Sequence, residues 1–410
     1  MSYIQNLFAD RIGGSEFGKG EAIYKFERIR QAKAAAQKLH PEMKLIDLGV
    51  GEPDEMADMG CVEILGKEAA KHENRSYSGH GPQDFKDSAV KYLEEVYGIK
   101  GLNSSTEVFH GIGSKIVLAM IPLVFINPGD ITLMTIPCYP TLGISSEWYG
   151  GKVYNLPLRK ENNFFPDLDS IPQDVRKKAK LLYINYPNNP TGACATREFF
   201  EKVVSFAKQN DIVVIHDAAY SSLVFDNEKP LAFLSVDGAK DVGIEIFSLS
   251  KAFNMAGWRI AVIAGNELAM KGLAEIKGSC DAGQFIPILK AAMHAFKHPE
   301  ITRKTSEKYS RRYDLMIEVL KGKGFTVEKP KGAFFLYVET PKGIKGGRSF
   351  KNAEEFSQFL IMEKLISTVP WDDAGHFVRL SMTYAANSIQ EEKQVMDEIK
   401  KRLQGIDFEF

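Results

Sequence analysis

Three short segments of the chain place polar side chains directly after an apolar run that is typical of a buried strand. They are YPNNPTG at 186–192, HDAAY at 216–220 and SLSK at 248–251. Ligands of open α/β sheets bind at the carboxyl ends of the strands, so these side chains are expected to meet at one edge. Arg259 follows eight residues after Lys251 and begins the strand candidate at 259–263. An unpaired charge in that position is costly, so we expect Arg259 to have an anionic partner.

Each segment by itself also has a plainer structural interpretation. The sequence Asn-Asn-Pro-Thr-Gly is a good turn and helix start, and Asp217 after an apolar strand can serve only as a helix N-cap. A single lysine such as Lys251 is most often a solvated surface residue. The order and spacing of the three segments are nevertheless far more specific together than any one of them is alone.

In this order and spacing the chain resembles the fold-type I pyridoxal-phosphate enzymes, the aspartate aminotransferase superfamily. The matching string is Asn-Pro-Thr-Gly, then Asp-x-x-Tyr, then Ser-x-Ser-Lys with an arginine eight residues on. The similarity covers nearly the whole chain, from Gly51-Glu52-Pro53 to Arg379. It implies pyridoxal 5'-phosphate as the cofactor and transamination by a ping-pong mechanism as the reaction.

The resemblance also implies roles for the residues at the strand ends. Lys251 would form the imine with the cofactor and would then carry a proton between the substrate α-carbon and the cofactor C4′. Asp217 matches the carboxylate that keeps the pyridine nitrogen protonated, which makes the ring an electron sink. Asn189 and Tyr220 match the residues that hydrogen-bond the phenolic oxygen of the cofactor. The catalytic set implied in this way is Lys251, Asp217 and Tyr220.

A phosphate site is expected where the segment 111–115 enters a helix. The amino terminus of a helix offers free N–H groups to an anion, and an arginine adds fork-like hydrogen bonds. By resemblance, the phosphate contacts are Gly113, Ser114, Lys115, Ser248 and Arg259. Tyr139 matches the aromatic ring that stacks on the pyridine. A core or strand-end tyrosine is the alternative interpretation of Tyr139.

Substrate recognition is implied for a second arginine. Arg379 lies inside the apolar run 377–382 and matches the residue that binds the substrate α-carboxylate in a bidentate manner, assisted by Gly51 and Asn189. Tyr77 resembles the tyrosine that reaches the phosphate of the neighbouring subunit, and Tyr24 is a further substrate-binding candidate near the partner's site. If the active sites are shared in this way, the protein is an obligate homodimer.

Within the superfamily the chain is most similar to the LL-diaminopimelate aminotransferase group. This group converts LL-diaminopimelate and 2-oxoglutarate to tetrahydrodipicolinate and glutamate in lysine and cell-wall biosynthesis. The similarity rests on Tyr24 and on the segments 77–81, 111–115 and 217–221. The chain departs from the group at Gln83, where an acidic residue that reads the distal ammonium is expected, and at 371–375. An aminotransferase for aspartate, alanine or an aromatic amino acid therefore stays open, as does a lyase or a binding protein with this fold.

Composition and charge exclude several other classes of protein. The chain of 410 residues carries 52 basic and 53 acidic residues, so no global positive field would hold nucleic acid or an anionic membrane. The four cysteines lie far apart, which indicates a reducing compartment. No signal peptide is visible at the amino terminus, and the apolar stretch at 116–125 is too short to span a bilayer. A cytoplasmic location is expected.

The elements that must position these residues follow from the pattern of apolar runs. From about 105 to 265, short apolar runs alternate with helix-length segments, which predicts a mainly parallel, mixed sheet in a three-layer α/β/α domain. A long helical run is predicted for 266–321, followed by a smaller α+β domain. The predicted division is an N-terminal arm and helix at 1–48 belonging to the small domain, a cofactor domain at 49–290 and the small domain at 291–410.

Three other motifs do not match the functional patterns that they resemble. The segment 49–54 begins like a dinucleotide fingerprint but ends in aspartate and contains proline, and 111–115 lacks the spacing of a P-loop. His294 and His298 are one helical turn apart but have no third ligand at a recognisable spacing in the sequence. The two histidines were therefore interpreted as a helix-surface pair, and no metal is predicted.

Overall fold

The computed structural model describes residues 3–19, 25–226 and 228–410. Tyr24, one of the predicted substrate contacts, lies outside these ranges. The helices of the described residues are α1 Lys25–Leu39, α2 Met59–Ala69, α3 Gln83–Tyr97, α4 Ser114–Phe125, α5 Thr141–Trp148, α6 Gln173–Lys178, α7 Arg197–Asn210, α8 Ala239–Val242, α9 Glu267–Cys280, α10 Ile286–Phe296, α11 Glu300–Lys321, α12 Ala353–Lys364 and α13 Ile389–Arg402. The strands are β1 Ile46–Asp47, β2 Val108–Gly111, β3 Ile131–Ile136, β4 Lys152–Pro157, β5 Ala179–Ile184, β6 Val213–Asp217, β7 Gly243–Ser248, β8 Ala261–Gly265, β9 Phe335–Glu339, β10 Gly343–Ile344, β11 Ile366–Ser367, β12 Val369–Trp371, β13 Phe377–Ser381 and β14 Phe408–Glu409.

Seven of these strands form one mixed sheet in the order β2-β8-β7-β6-β5-β3-β4. β8 runs antiparallel to both of its neighbours, and all other pairs are parallel. Successive side chains of a strand point to opposite faces, and β5 illustrates the result. Leu181 and Tyr183 pack in one apolar cluster with α4 and α9, whereas Leu182 and Ile184 pack in another with α3 and α7. Helices thus cover both faces, and the predicted three-layer α/β/α fold is confirmed.

The helices that cover the sheet have the sequence features that their positions require. Thr196 caps α7 by accepting a hydrogen bond from the backbone N–H of Phe199 at 3.2 Å. The buried side chains of α7 recur at three- and four-residue spacing, as expected for a helix with one apolar face. α4 is apolar on nearly all sides, and its buried residues pack against the sheet and its neighbouring helices, whereas Ile116 and Leu123 are exposed.

A smaller antiparallel sheet of order β12-β13-β9 lies toward the carboxyl terminus and carries Arg379 on its central strand. β1 pairs in parallel with β11, and α1 packs through Ile29 and Ala36 against the α12–β12 region. These contacts join the amino-terminal residues to the carboxyl-terminal part. They agree with a small domain built from both chain ends, while the boundaries at 1–48, 49–290 and 291–410 stay a prediction.

Two details of the sequence prediction are wrong. The helical run predicted for 266–321 is three helices, because the chain breaks at Asp281–Phe285 and again before α11, which Pro299 precedes. Arg259 was assigned to a strand, yet β8 begins only at Ala261 and Arg259 has a φ of 55° in the left-handed region. Arg259 therefore sits on a sharp turn before the strand. Among the described helices, none combines the length and the apolar character needed to cross a membrane.

Candidate active site

The polar residues that follow β5, β6 and β7 line one cleft. These three strands are parallel neighbours, so their carboxyl ends lie side by side. The cleft has a volume of about 580 Å³ and also receives residues from the β1–α2 connection, the start of α4 and the small sheet. The predicted residues that line it are Gly51, Ser114, Lys115, Tyr139, Asn189, Asp217, Tyr220, Ser248, Lys251, Arg259 and Arg379. The cleft lies at the sheet edge where ligands of this architecture bind.

Lys251 follows β7 and projects its amine into the cleft. Its Nζ donates a hydrogen bond to the carbonyl oxygen of Gly51, at the start of the β1–α2 connection. Burial, assisted by the positive charge of Arg379, lowers the pKa of Lys251 to about 8. A lysine with this pKa is largely neutral above pH 8, and a neutral amine can act as a nucleophile or a base.

Asp217 ends β6 and is 4% exposed. Its Oδ2 accepts a hydrogen bond of 3.1 Å from the hydroxyl of Tyr183, whereas its Oδ1 is buried and has no hydrogen-bond partner in the described part of the chain. Burial raises the pKa of Asp217, and the hydrogen bond from Tyr183 opposes this effect. An orphaned carboxylate oxygen is rare in a protein interior and calls for a donor from outside the chain.

Arg379 lies on β13 with its side chain 4% exposed and 4.1 Å from the centre of the Phe335 ring. Its Nη1 donates to Oδ1 of Asn189 at 3.0 Å, and its Nη2 donates to the Gly49 carbonyl at 3.0 Å. Burial lowers the pKa of Arg379 to about 10. No carboxylate of the described residues forms an ion pair with it. The guanidinium is therefore fixed by neutral partners and keeps its charge available for an anion.

A second cation is fixed at the amino end of α4. Gly113 precedes this helix with a φ of 70°, and a Cβ atom at Gly113 would come 2.2 Å from Nη2 of Arg259. Arg259 is oriented by the Ala256 carbonyl, which accepts a hydrogen bond of 2.7 Å from its Nη1. Arg259 also lacks an acidic partner within the described ranges. A guanidinium beside the free N–H groups of a helix start forms a site for a phosphate-sized anion.

Tyr77 and Gln83, both singled out in the sequence, lie outside this cleft. Tyr77 is 89% exposed and does not line the cleft of its own chain. Gln83, where the sequence departs from the diaminopimelate group, is also exposed and donates hydrogen bonds to Asp87 Oδ1 and Ser104 Oγ.

Several residues of the cleft region were missed by the sequence analysis. Tyr183 holds Asp217, and Asn185 holds the Asp217 backbone by donating to its carbonyl oxygen at 2.6 Å. Phe335 lies under Arg379, and Trp371 closes the outer wall. A phenol inside the otherwise aliphatic β5 was a signal for Tyr183. The two aromatic residues gave no comparable signal, because large apolar side chains are common in strands.

Comparison with known proteins agrees with this geometry. Residues 43–399 match the family described as aminotransferase class I and II. The LL-diaminopimelate aminotransferases of Methanococcus maripaludis and Methanocaldococcus jannaschii are 56% and 55% identical to the chain, and each match covers 100% of this chain and 99% of the relative. A substrate-bound structure of BacF from Bacillus subtilis is 31% identical and superposes with a TM-score of 0.85 over 96% of this chain and 97% of that one. The chain belongs to the aminotransferase class I and II family.

Proposed function

We propose that this protein is a pyridoxal 5'-phosphate-dependent aminotransferase that transfers the amino group of LL-diaminopimelate to 2-oxoglutarate. The observation that carries the proposal is that two fixed cations, Arg259 and Arg379, line the same cleft as the buried amine of Lys251. Support for the substrate comes from two relatives of that name that are at least 55% identical over the full length of the chain.

The residues of the cleft fit the cofactor on two independent observations. Gly113 and Arg259 form a cradle for a phosphate at the start of α4, which Ser114, Lys115 and Ser248 would complete. The orphaned Oδ1 of Asp217 would accept a hydrogen bond from a protonated pyridine nitrogen. When bound, the cofactor supplies an electron sink that stabilises negative charge at the α-carbon of the substrate. Asn189, Tyr139 and Tyr220 would contact the ring.

Lys251 would act as the base of the reaction. Its pKa of about 8 leaves a neutral fraction near neutral pH, so the amine could take the α-proton of the substrate and deliver it at the C4′ position of the cofactor. The Gly51 carbonyl would hold the amine until substrate enters. The hydroxyl of Tyr220 and the amide of Asn189 would hydrogen-bond the phenolic oxygen of the cofactor.

Arg379 would bind the α-carboxylate of both substrates. Its guanidinium is already oriented by Asn189 and Gly49, so little side-chain freedom is lost when a carboxylate binds. The same arginine would serve the amino donor and the 2-oxo acid, because the two substrates occupy one site in turn. Gly51 would assist through its backbone.

A homodimer is part of this proposal. Tyr77 projects into solvent from the connection before α3, which suits a side chain that completes the phosphate site of a second copy. Tyr24 is assigned to the substrate by the same resemblance. Because each site would then need residues of both copies, the monomer would be inactive.

A panel of amino donors tests which amino acid the protein uses as its substrate. Purified protein is mixed with 2-oxoglutarate and one of LL-diaminopimelate, aspartate, alanine or an aromatic amino acid, and the glutamate formed is measured. We expect turnover with LL-diaminopimelate and a cyclic product that o-aminobenzaldehyde traps. Turnover of another donor in its place would select the second candidate, an aminotransferase for that amino acid. The departure at Gln83 is the observation that favours this candidate, because no acidic side chain stands at that position. The Lys251→Ala variant is the control for non-enzymatic reaction.

A further inference from the structure

A second group of chemistry-bearing side chains lies outside the cleft, where the start of α2 meets α10. Asp58, Cys61 and His294 each offer one ligand atom, and these atoms lie within 4.8 Å of one another. They come from parts of the chain more than 230 residues apart, so the sequence showed only the pair His294 and His298. The prediction that these histidines are a surface pair did not take account of the residues that α2 brings to them.

The contact between the two helices is shaped around His294. A Cβ atom at position 60 would come 2.5 Å from Nε2 of His294, so the glycine admits the imidazole into the first turn of α2. This turn is capped by Asp58, whose Oδ1 accepts a hydrogen bond of 2.9 Å from the Gly60 backbone N–H. The imidazole nitrogen thus reaches the gap between Asp58 and Cys61.

The donor atoms in this gap are not used by other groups. Cys61 is fully buried and forms no disulfide, and neither its thiol nor the His294 ring makes a hydrogen bond within the described residues. Asp58 keeps a second carboxylate oxygen beyond the one that caps the helix. Cys61 is buried, while Asp58 and His294 keep exposed surface. The convergence of carboxylate, thiol and imidazole ligand atoms from two helices points to a bound group.

A fourth donor is adjacent, but its nitrogens lie outside the 4.8 Å group, so its ring would have to move to reach a metal held by the other three. His298 lies one turn after His294, and the centres of the two rings are 4.2 Å apart. Nδ1 of His298 pairs with Oε1 of Glu300 at 2.8 Å, which leaves Nε2 for a ligand. A carboxylate on the far nitrogen is the usual arrangement that orients a metal-binding histidine.

We propose that Asp58, Cys61 and His294, with His298 as the fourth ligand, form a structural zinc site that ties the start of α2 to α10. One sulfur, two imidazole nitrogens and one carboxylate oxygen suit Zn²⁺, whereas Mg²⁺ and Ca²⁺ prefer oxygen alone. On binding, the Cys61 thiol loses its proton to solvent and the thiolate coordinates the metal. Four protein ligands leave no open position, so the site is structural rather than catalytic.

The test is zinc stoichiometry in the intact enzyme. Protein carrying its cofactor is dialysed against Zn²⁺, then against metal-free buffer, and the retained metal is measured. We expect about one equivalent per chain, lost in Cys61→Ala and His294→Ala and weakened about 10- to 100-fold in His298→Ala. Cys280→Ala, which removes an exposed cysteine, and Lys251→Ala, which removes the cofactor attachment, should both retain the metal.

A second measurement keeps the proposal falsifiable if Cys61→Ala does not fold. Co²⁺ in place of Zn²⁺ should give d–d absorption in the red, where a pyridine cofactor does not absorb, with the intensity of a tetrahedral site. His294→Ala, a change on a partly exposed helix face, should abolish these bands. Retention below a tenth of an equivalent by the parent protein, or equal retention by His294→Ala, would overturn the proposal.

Discussion

The hydroxyl of Tyr183 donates a hydrogen bond of 3.1 Å to Oδ2 of Asp217, and the other oxygen of this buried carboxylate has no partner among the residues described. Tyr183 lies in the middle of the sheet with no exposed surface, so its hydroxyl is held in place by the core. One oxygen of the Asp217 carboxylate thus accepts a hydrogen bond from the protein, and the other is left for a ligand bound in the cleft. Such a carboxylate suits the role of keeping a bound ligand positively charged.

Tyr183→Phe should remove the hydrogen bond that supports the Asp217 carboxylate and leave Asp217 itself in place. Loss of the hydrogen bond raises the pKa of Asp217 further, and a hydrogen bond to a charged group contributes about 1.5–3 kcal/mol. We expect cofactor affinity to fall on the order of 10- to 100-fold, measured by fluorescence titration of the cofactor-free protein. Tyr186→Phe is the matched control, because it removes another buried phenol that bonds Phe164 far from the carboxylate. An equal fall in both variants would mean that Tyr183 only stabilises the fold.

The amine of Lys251 should titrate near pH 8 in the cofactor-free protein. Its lowered pKa means that the protonated, unreactive form dominates below pH 8 and that the neutral amine dominates above it. The rate at which pyridoxal 5'-phosphate attaches should therefore rise with pH, reach half of its maximum near pH 8 and level off well above that midpoint. Arg379→Met removes the neighbouring positive charge and should move this midpoint upward. A midpoint near the ordinary lysine value in the parent protein would contradict the assignment.

Arg379→Ala should raise the KM for every amino donor and for 2-oxoglutarate. A lost bidentate carboxylate contact amounts to about 3 kcal/mol, or on the order of 100-fold. Arg379→Lys keeps the charge but not the planar fork, so it should recover only part of the loss. Steady-state kinetics over both substrates measure the effect. An unchanged KM for one of the two substrates would remove the shared role of this arginine.

Copies that lack different parts of the site should complement each other. In a mixed dimer of Lys251→Ala and Tyr77→Ala chains, one site carries both lesions and the other carries neither. Mixing the two variants under conditions of subunit exchange should therefore give more activity than the sum of the separate variants. Activity equal to that sum, after exchange is verified by mass spectrometry, would exclude a contribution of Tyr77 across the dimer.

A buried network of charged side chains should stabilise the β1–α2 connection, which lines part of the cleft. Arg312 has no exposed surface and pairs with Asp54 Oδ2 at 3.0 Å and Glu392 Oε1 at 2.9 Å, which ties the β1–α2 connection to α11 and α13. Glu392→Gln leaves this arginine undercompensated and should lower the free energy of unfolding by about 3 kcal/mol. Glu318→Gln breaks an exposed pair with Lys400 and should cost less than about 1 kcal/mol. Denaturant titration distinguishes the two, and equal effects would contradict the role of burial.

The sheet and most of the cleft could be predicted because their signals are local in the sequence. An apolar run followed by a polar segment marks both a buried strand and the edge at which its ligand residues lie. This was sufficient for Asp217 and Lys251, which follow neighbouring strands. The same logic misplaced Arg259, because a left-handed turn before β8 leaves no clear trace in the pattern of apolar residues.

Features that depend on contacts between distant elements could not be predicted. The support of Asp217 by Tyr183 requires two strands to be in register, and the meeting of Cys61 with His294 requires two helices to pack. In neither case are the contacting residues separated by a characteristic number of residues in the sequence. Arg312 is a similar case, since a charged residue in a long helix is usually solvated, and only the packing of α11 shows that it is buried.

The attachment of the cofactor to Lys251 is the central claim, and reduction with borohydride followed by peptide mass mapping tests it most directly. The purified protein should be yellow, borohydride should abolish the imine band, and the peptide that contains Lys251 should gain the mass of the reduced cofactor. Lys251→Ala should be colourless and unmodified after the same treatment. A colourless parent protein, or a modification found on another lysine with Lys251 unmodified, would contradict the account.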